Sequence, residues 1–379
     1  MVVNKIERMK NMKMLMSCAF FASTLATAAI AAEITIGQST PLTGANADLG
    51  NDIRNGALAY LGKVNASGGI HGNKIALVTL DDKNDTKIAA ENTKKLLAEN
   101  NVIALFGYAS ATLSIPAMPF VKESHVPFFA PFTGADTIRK QNEFVYTVRA
   151  TYNDEIEKII DFWGNLGSTR VTVLHYDDAI GKQNFETVAK ALQKFDKQPT
   201  SISIKRNVDL PDDVVKRVVD SNPQIILITT LYSPAAQMIK QLRASNLPYV
   251  VTSLSFVGAS QLAKALGSDA AGVSVALTVP TAKSTNVPII KECVEAWTAL
   301  GQKEIMSVTA IEACIAAKVL VEGIRKAGKD VTRESLQRAL TAMGRLDVGG
   351  YVVEFKPGSR HGGKFVDIAV ILANGQLRS

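Results

Sequence analysis

Two loops of small and hydroxyl-bearing residues form the part of the sequence best suited to binding an anion or an amide. Ser110 and Thr112 follow one apolar run, and Thr133 and Gly134 follow the next. Because neither Lys nor Arg occurs between residues 107 and 121, an anion here would be bound by hydroxyls and backbone N–H groups. The alternative, which the sequence leaves open, is that these hydroxyls only cap helices and turns.

The elements that must position these loops are strands, because apolar runs of four to eight residues bounded by turn residues indicate buried strands. From residue 33 onward such runs alternate with helical patterns, and the alternation begins again after Arg149. This order predicts parallel sheets with right-handed crossovers, and ligands bind at the carboxyl ends of strands in such sheets. Residues 33–379 also exceed what a single core usually serves, which predicts an α/β chain with two lobes.

Two local features refine the expected helices. Asp85 is placed to cap the helix that follows it. Pro119 would clash inside a regular helix, so the helix after Ser110 should start late or be kinked.

The first 32 residues predict a secretory signal peptide. Lys10 and Lys13 precede an apolar run from residue 14 to 30, which ends in the small residues of a cleavage site. We therefore expect an exported protein. Cys293 and Cys314 are the only cysteines beyond this segment, and the sequence leaves open whether they form a disulfide.

Several classes of chemistry find no support in the sequence. The formal charge is +7, but the charges are interspersed and form no basic block, so no nucleic-acid partner is expected. The four histidines lack the spacing of a zinc helix, and the sequence contains no Walker A or G-x-S-x-G motif. We therefore expect no metal, no cofactor and no enzymatic activity.

Two acidic pairs are candidate catalytic groups, because paired carboxylates can act as acid and base. Asp81-Asp82 and Asp177-Asp178 each end a predicted strand. The reading we favour is that each pair caps a helix and solvates a turn. A hydrolase using Ser110 or Asp177-Asp178 remains an alternative, but no base or orienting partner can be named from spacing.

Five stretches carry a more specific pattern: Ile36–Gly44 (IGQSTPLTG), Gly68–Lys74 (GGIHGNK), Asp81-Asp82, Gly107–Ala135 and Val148–Glu155. With them, the chain from about Ile34 to Gly375 resembles type I periplasmic solute-binding proteins of the leucine/isoleucine/valine-binding family, which serve ABC importers. The resemblance implies two Rossmann-like lobes joined by three crossover strands, the type I periplasmic binding protein or Venus-flytrap fold. The implied limits are 33–150 plus 280–348 for lobe 1 and 151–279 plus 349–379 for lobe 2.

The resemblance also implies a ligand-binding set in the cleft between the lobes: Ser110, Thr112, Phe132, Thr133, Gly134, Tyr152, Tyr232, Ser255 and Phe256. The family's lobe-one serine falls on Ala111, so Ser110 or Thr112 would substitute for it. The family's acid, which neutralises the ligand's ammonium, falls on Ser255, and the alternative sources of that charge are Asp154 and Asp177.

The function implied is capture of a small amino acid-like, carboxylate or amide solute for a membrane permease, by a monomer, in the branched-chain or hydrophobic amino acid transport class. The alternative is a periplasmic sensor of amides or amino acids that feeds a membrane receptor.

Overall fold

A computed structural model describes residues 33–141, 143–206, 208–245, 249–356 and 358–379. The predicted signal peptide, residues 1–32, lies outside the described residues.

The strands are β1 (Glu33–Thr40), β2 (Lys74–Asp81), β3 (Ala104–Phe106), β4 (Phe128–Phe129), β5 (Val145–Tyr146), β6 (Val171–Tyr176), β7 (Thr200–Ile204), β8 (Ile225–Ile228), β9 (Val250–Ser253), β10 (Ser274–Leu277), β11 (Gly344–Asp347), β12 (Val352–Phe355), β13 (Asp367–Ile371) and β14 (Leu377–Arg378).

The α-helices are α1 (Ala47–Ala66), α2 (Thr86–Glu99), α3 (Ala111–Ser114), α4 (Met118–Ser124), α5 (Asp136–Gln141), α6 (Tyr152–Asn165), α7 (Ala179–Leu192), α8 (Val214–Asp220), α9 (Tyr232–Ala244), α10 (Ala259–Leu266), α11 (Pro288–Ala299), α12 (Val308–Ala327) and α13 (Arg333–Thr341). Short 3₁₀ turns cover Ile115–Ala117, Gln193–Phe195, Ser255–Val257 and Gly267–Ala270.

Two open sheets organise these elements. The first has the order β2-β1-β3-β4-β5, and all its strands are parallel. The second has the order β14-β13-β10-β9-β8-β6-β7, in which β6 to β10 are parallel and β13 and β14 run antiparallel at one edge. The predicted α/β class with two lobes is confirmed.

The chain passes from the first sheet to the second after β5 and returns after β10 into α11, α12 and α13. β11 and β12 form a separate two-stranded sheet. Phe355 of β12 packs edge-on against Phe129 and Tyr146 of the first sheet, with ring centres 6.4 and 5.7 Å apart. The exact lobe limits at residues 150, 280 and 349 stay a prediction.

The helical segment after Ser110 is interrupted as its prolines require. α3 ends at Ser114, a 3₁₀ turn containing Pro116 follows, and α4 begins with Pro119 in its first turn. A proline is tolerated there because the first N–H groups of a helix have no intrahelical acceptor. Asp85 caps α2 by accepting hydrogen bonds from Lys87 N and Ile88 N, as predicted.

The question left open about the cysteines is answered by the structure. Cys293 of α11 and Cys314 of α12 form a disulfide within the core of the first lobe, and both side chains are fully buried. The bond ties together two helices that pack against α1.

Candidate functional site

The two sheets share one strand order, and this places a potential site at the edge of each. In order of occurrence their parallel strands follow the pattern 2-1-3-4-5, so the chain direction across the sheet reverses between β1 and β3 and between β6 and β8. A crevice forms at such a switch point, outside the carboxyl ends of the strands. Residues from the loops after β3, β4, β6, β7 and β8 meet there.

A small cavity joins the two switch points. Its volume is about 10 Å³, close to that of a single water sphere, so the walls from the two lobes nearly touch. The cavity is lined by Ser110, Ala111, Thr112, Thr133, Tyr152, Tyr176, Ile180, Gly181, Asn184, Arg206, Thr229 and Phe256.

The lobe-one wall is built from the two hydroxyl loops that the sequence singled out. The Ser110 hydroxyl caps α3 by accepting a hydrogen bond from Leu113 N at 3.1 Å. The Thr133 hydroxyl accepts from Ala135 N at 3.1 Å and donates to the Tyr152 hydroxyl at 3.3 Å. Capping and cavity lining, which the sequence left as alternatives, therefore coexist in the same side chains.

Gly134 brings the backbone of the second hydroxyl loop against α6. Tyr152 N donates to Gly134 O at 2.9 Å. A Cβ on Gly134 would lie 2.5 Å from a ring carbon and 2.6 Å from the amide nitrogen of Tyr152, so only glycine permits this approach. Gly134 itself does not line the cavity; it fixes Tyr152, which does.

Aromatic side chains close the opposite wall. The rings of Tyr152 and Phe256 meet edge to face with centres 6.0 Å apart, and both side chains are buried. Burial raises the pKa of Tyr152 to about 12, so its hydroxyl stays protonated near neutral pH and can donate a hydrogen bond.

Of the nine predicted site residues, five line the cavity: Ser110, Thr112, Thr133, Tyr152 and Phe256. The other four, Phe132, Gly134, Tyr232 and Ser255, are not among its lining residues. Phe132 packs under the Arg149 guanidinium, 4.7 Å from its ring centre. The Tyr232 hydroxyl reaches across to the other lobe and donates to Ala45 O.

Ser255 is hydrogen-bonded to a carboxylate that was not predicted as part of the site. Its N–H and hydroxyl donate to Glu155, at 2.7 and 2.8 Å. Glu155 is fully buried and pairs with Arg149 at 3.4 Å. The two acids suggested as substitutes lie elsewhere: Asp154 caps α6 together with Thr151, and Asp177 pairs with Lys182 near the surface.

Arg149 is the centre of a buried ion cluster between the lobes. Its two terminal nitrogens lie 3.4 Å from Glu155 and 3.4 Å from Glu312 of α12. Glu312 also accepts a hydrogen bond from Thr278, at 2.9 Å. The Tyr351 hydroxyl lies 2.9 Å from Val148 O and 3.1 Å from Thr278 O. Segments before α6, after β10 and before β12 are thus tied together at one point.

Four polar residues that line the cavity were not predicted from the sequence: Tyr176, Asn184, Arg206 and Thr229. Three of them stand at the carboxyl ends of β6, β7 and β8, a position that the strand pattern could have indicated. Asn184 lies on α7, and nothing in its surroundings in the sequence marks it. Arg206 Nε donates to Asp178 Oδ2 at 2.6 Å, and Asp178 caps α7 through Gly181 N.

Contacts across the cleft show that the lobes are closed. Gln261 Nε2 of α10 donates to Asp52 Oδ2 of α1 at 2.7 Å, and Lys264 Nζ lies 3.4 Å from Asp48 Oδ2. Asp52 also accepts from Ser307 at 2.5 Å. These contacts border a larger cavity of about 900 Å³ between α1, α10 and the loops at 281–283, 303–308 and 373–377. Its walls mix both signs of charge and lack the convergent strand ends of the small cavity.

Neither a metal cluster nor a membrane-spanning helix occurs in the part of the chain that the structure describes. There, no group of three or more His, Cys, Asp and Glu side chains converges as metal ligands would. None of its helices has both the length and the apolar character needed to cross a bilayer.

The chain is similar over nearly its whole length to known proteins. Residues 33–369 match a family model described as periplasmic binding protein. The crystal structure of a substrate-binding periplasmic protein from Ralstonia solanacearum superposes with a TM-score of 0.86 at 32% identity, covering 91% of this chain and 99% of that one. A possible leucine/isoleucine/valine-binding protein from Rhodopirellula baltica gives a TM-score of 0.88 at 25% identity, covering 92% and 97%. Leu/Ile/Val-binding protein homolog 3 of Brucella melitensis is 23% identical over 351 residues, 89% of this chain and 92% of the relative.

Proposed function

The chain belongs to the periplasmic binding protein family, and from this premise we propose that it is the substrate-binding component of an ABC importer. It captures a small amino acid-like, carboxylate or amide solute in the periplasm and delivers it to a membrane permease. The relatives named as Leu/Ile/Val-binding proteins support the branched-chain or hydrophobic amino acid transport class. The chain itself catalyses no reaction in this proposal.

One observation carries the proposal: a single cavity is lined from both sides by the switch points of two sheets with the same strand order. A ligand at this place contacts both lobes at once, so its binding energy favours the closed arrangement over the open one. Closure by hinge motion then presents a surface that a permease can distinguish from that of the open protein.

We propose that the predicted residues divide into two groups. Ser110, Thr112 and Thr133 offer hydroxyls to the ligand, and Tyr152 and Phe256 close over its body. The remaining four position these: Phe132, Gly134, Tyr232 and Ser255. Phe132 acts through Arg149, and Gly134 acts through Tyr152. Tyr232 acts through the contact between the lobes, and Ser255 acts through Glu155.

A ligand screen with a closure measurement tests the function. The protein, unfolded and refolded to remove carried ligand, is titrated with amino acids, carboxylates and amides while thermal stability and X-ray scattering are followed. A ligand at a hundred times its dissociation constant should add about 2.7 kcal/mol of stability, and the radius of gyration should fall as the lobes close. Saturable binding without compaction, or no binding across the panel, would contradict the proposal.

A matched pair of variants localises the binding. Phe256→Ala removes a ring that lines the cavity, and Phe162→Ala removes a ring that is 45% exposed on α6. We expect Phe256→Ala to weaken ligand binding by at least about tenfold, since burying such a ring is worth about 1.5–3 kcal/mol. Phe162→Ala should leave the affinity unchanged. Equal affinities for both variants would place the ligand elsewhere.

Adding the ligand-loaded protein to membranes that contain the permease should raise ATP hydrolysis above the level with the unloaded protein. A ligand that closes the protein without any such stimulation would favour a periplasmic sensor.

A further inference from the structure

The charge that lines the cavity is positive. Among its twelve lining residues Arg206 alone carries a charge, and neither Asp nor Glu contributes to the walls. We infer that the ligand is a small carboxylate without an ammonium group, and that Arg206 binds its carboxylate from lobe two. This inference rests on the proposed solute-binding function and narrows its ligand class.

Arg206 is held in one orientation by its neighbours. Its Nε donates to Asp178 Oδ2 at 2.6 Å, and its guanidinium carbon lies 3.8 Å from the ring centre of Tyr176. Only 18% of the side chain is exposed. A stacked and tethered guanidinium loses little freedom when it binds a ligand, and its planar fork matches both oxygens of a carboxylate.

Asp178 does not remove the capacity of Arg206 to bind a second carboxylate. Asp178 is the N-cap of α7 and accepts a hydrogen bond from Gly181 N at 2.8 Å. The positive end of the helix dipole therefore offsets part of the negative charge of this carboxylate. The bond to Asp178 uses Nε, which carries one of the five N–H groups of a guanidinium. A carboxylate between Arg206 and the lobe-one hydroxyls therefore faces complementary donors on both sides.

An ammonium group would find no such partner. Glu155, which holds the turn that contains Phe256, already accepts two hydrogen bonds from Ser255 and pairs with Arg149. Glu155 does not line the cavity. An ammonium in this cavity would be desolvated without a countercharge, which is strongly unfavourable.

The rest of the wall suits an apolar or aromatic body. Tyr152, Ile180 and Phe256 supply apolar surface on the side of lobe two, next to Arg206. The chemical character of these walls thus matches an aliphatic or aromatic monocarboxylate, for which the lobes must open beyond the spacing that the structure shows.

The first test needs no variant. Calorimetric titration of the refolded protein compares leucine with 4-methylpentanoate and 4-methyl-2-oxopentanoate, and phenylalanine with phenylacetate and phenylpyruvate. We expect at least one compound without an ammonium group to bind about tenfold or more tightly than its amino acid counterpart. If the amino acids bind as well or better, the inference is overturned while the proposed transport function stands. If no member of the panel binds, the inference is overturned as well, and the proposed function fails only if the wider screen of amino acids, carboxylates and amides is also negative.

The second test isolates Arg206. Arg206→Gln should weaken binding of the carboxylate about ten- to a hundredfold, because a charge-assisted pair is lost. Arg206→Lys keeps the charge without the planar fork, and should fall between Arg206→Gln and the unaltered protein. Arg217→Gln, which alters a more exposed arginine of the same lobe, is the matched control and should bind normally. Tight carboxylate binding that is unchanged in Arg206→Gln would refute the role of Arg206.

Discussion

Replacing Arg149 by methionine should destabilise the protein through the two carboxylates that it leaves behind. Arg149 is 1% exposed, and its terminal nitrogens lie 3.4 Å from both Glu155 and Glu312, which are buried as well. Removing one partner of a buried pair costs about 3–5 kcal/mol, because the other charge stays buried. Because Arg149→Met leaves two buried carboxylates without their partner, its loss of unfolding free energy should be at least about 3 kcal/mol. That is a large part of the stability of an ordinary domain.

The pH dependence of this loss identifies its origin. Burial raises the pKa of Glu155 and of Glu312 above the usual range, and removal of Arg149 should raise both further. A folded-state pKa above the unfolded value gives stabilisation that is complete below the unfolded pKa and is lost as pH rises through the folded one. The difference in unfolding free energy between wild type and Arg149→Met should therefore be largest near pH 7.5 and shrink toward pH 4.5.

Urea unfolding at several pH values measures this difference, and a triple variant checks its cause. Arg149→Met combined with Glu155→Gln and Glu312→Gln removes the charges together, and should recover at least half of the lost stability at pH 7.5. A loss below about 1 kcal/mol, or a loss that does not vary with pH, would show that ion pairing does not stabilise the cluster.

Two further predictions concern stability. Reducing the disulfide, or replacing Cys293 and Cys314 by serine, should lower the unfolding free energy by about 2–4 kcal/mol, and urea unfolding with and without reductant measures this. Burial raises the pKa of Asp52 to about 6, with Asp48 and Glu304 adding to the rise and Ser307 and Lys264 opposing it. The stabilisation that Asp52 contributes is complete below about pH 3.8 and is lost as pH rises through 6. Across this window the unfolding free energy of the wild type should fall by up to about 3 kcal/mol, and that of Asp52→Asn should not show this fall. Parallel stability curves for the two proteins would contradict this.

Much of the fold could be predicted because its signals are local. Apolar runs marked most of the strands, Asp85 marked a helix start, and the interruption of the helix after Ser110 followed from the geometry of proline. Strands without such signals were missed: β11 is a half-exposed strand with charged residues, and β14 has two residues. Their pairing depends on β12 and β13, which no local pattern reveals.

The site was predictable on one side only. The lobe-one hydroxyls sit on loops next to each other in the sequence, so strand order alone brought Ser110 and Thr133 together. The lobe-two wall joins residues from β6, β7, β8 and α7. Arg206 becomes part of the site because it follows β7, the edge strand beside β6, and because its Nε is hydrogen-bonded to Asp178 at the start of α7. The two cysteines show the same limit, since only the packing of α11 on α12 decides that they pair.

Glu155 links the buried ion cluster to the cavity, because it contacts both Arg149 and Ser255. Glu155 holds the N–H and hydroxyl of Ser255, and these fix the 3₁₀ turn in which Phe256 lines the cavity. An aspartate or glutamate at position 255 would place a second carboxylate against Glu155, and like charges at hydrogen-bond distance cannot both stay ionised in a buried place. A serine there satisfies Glu155 and leaves the charge of that carboxylate to Arg149. Glu155 belongs to the buried ion cluster around Arg149 and is thus unavailable to a ligand. Arg206 remains as the charged residue that faces the ligand.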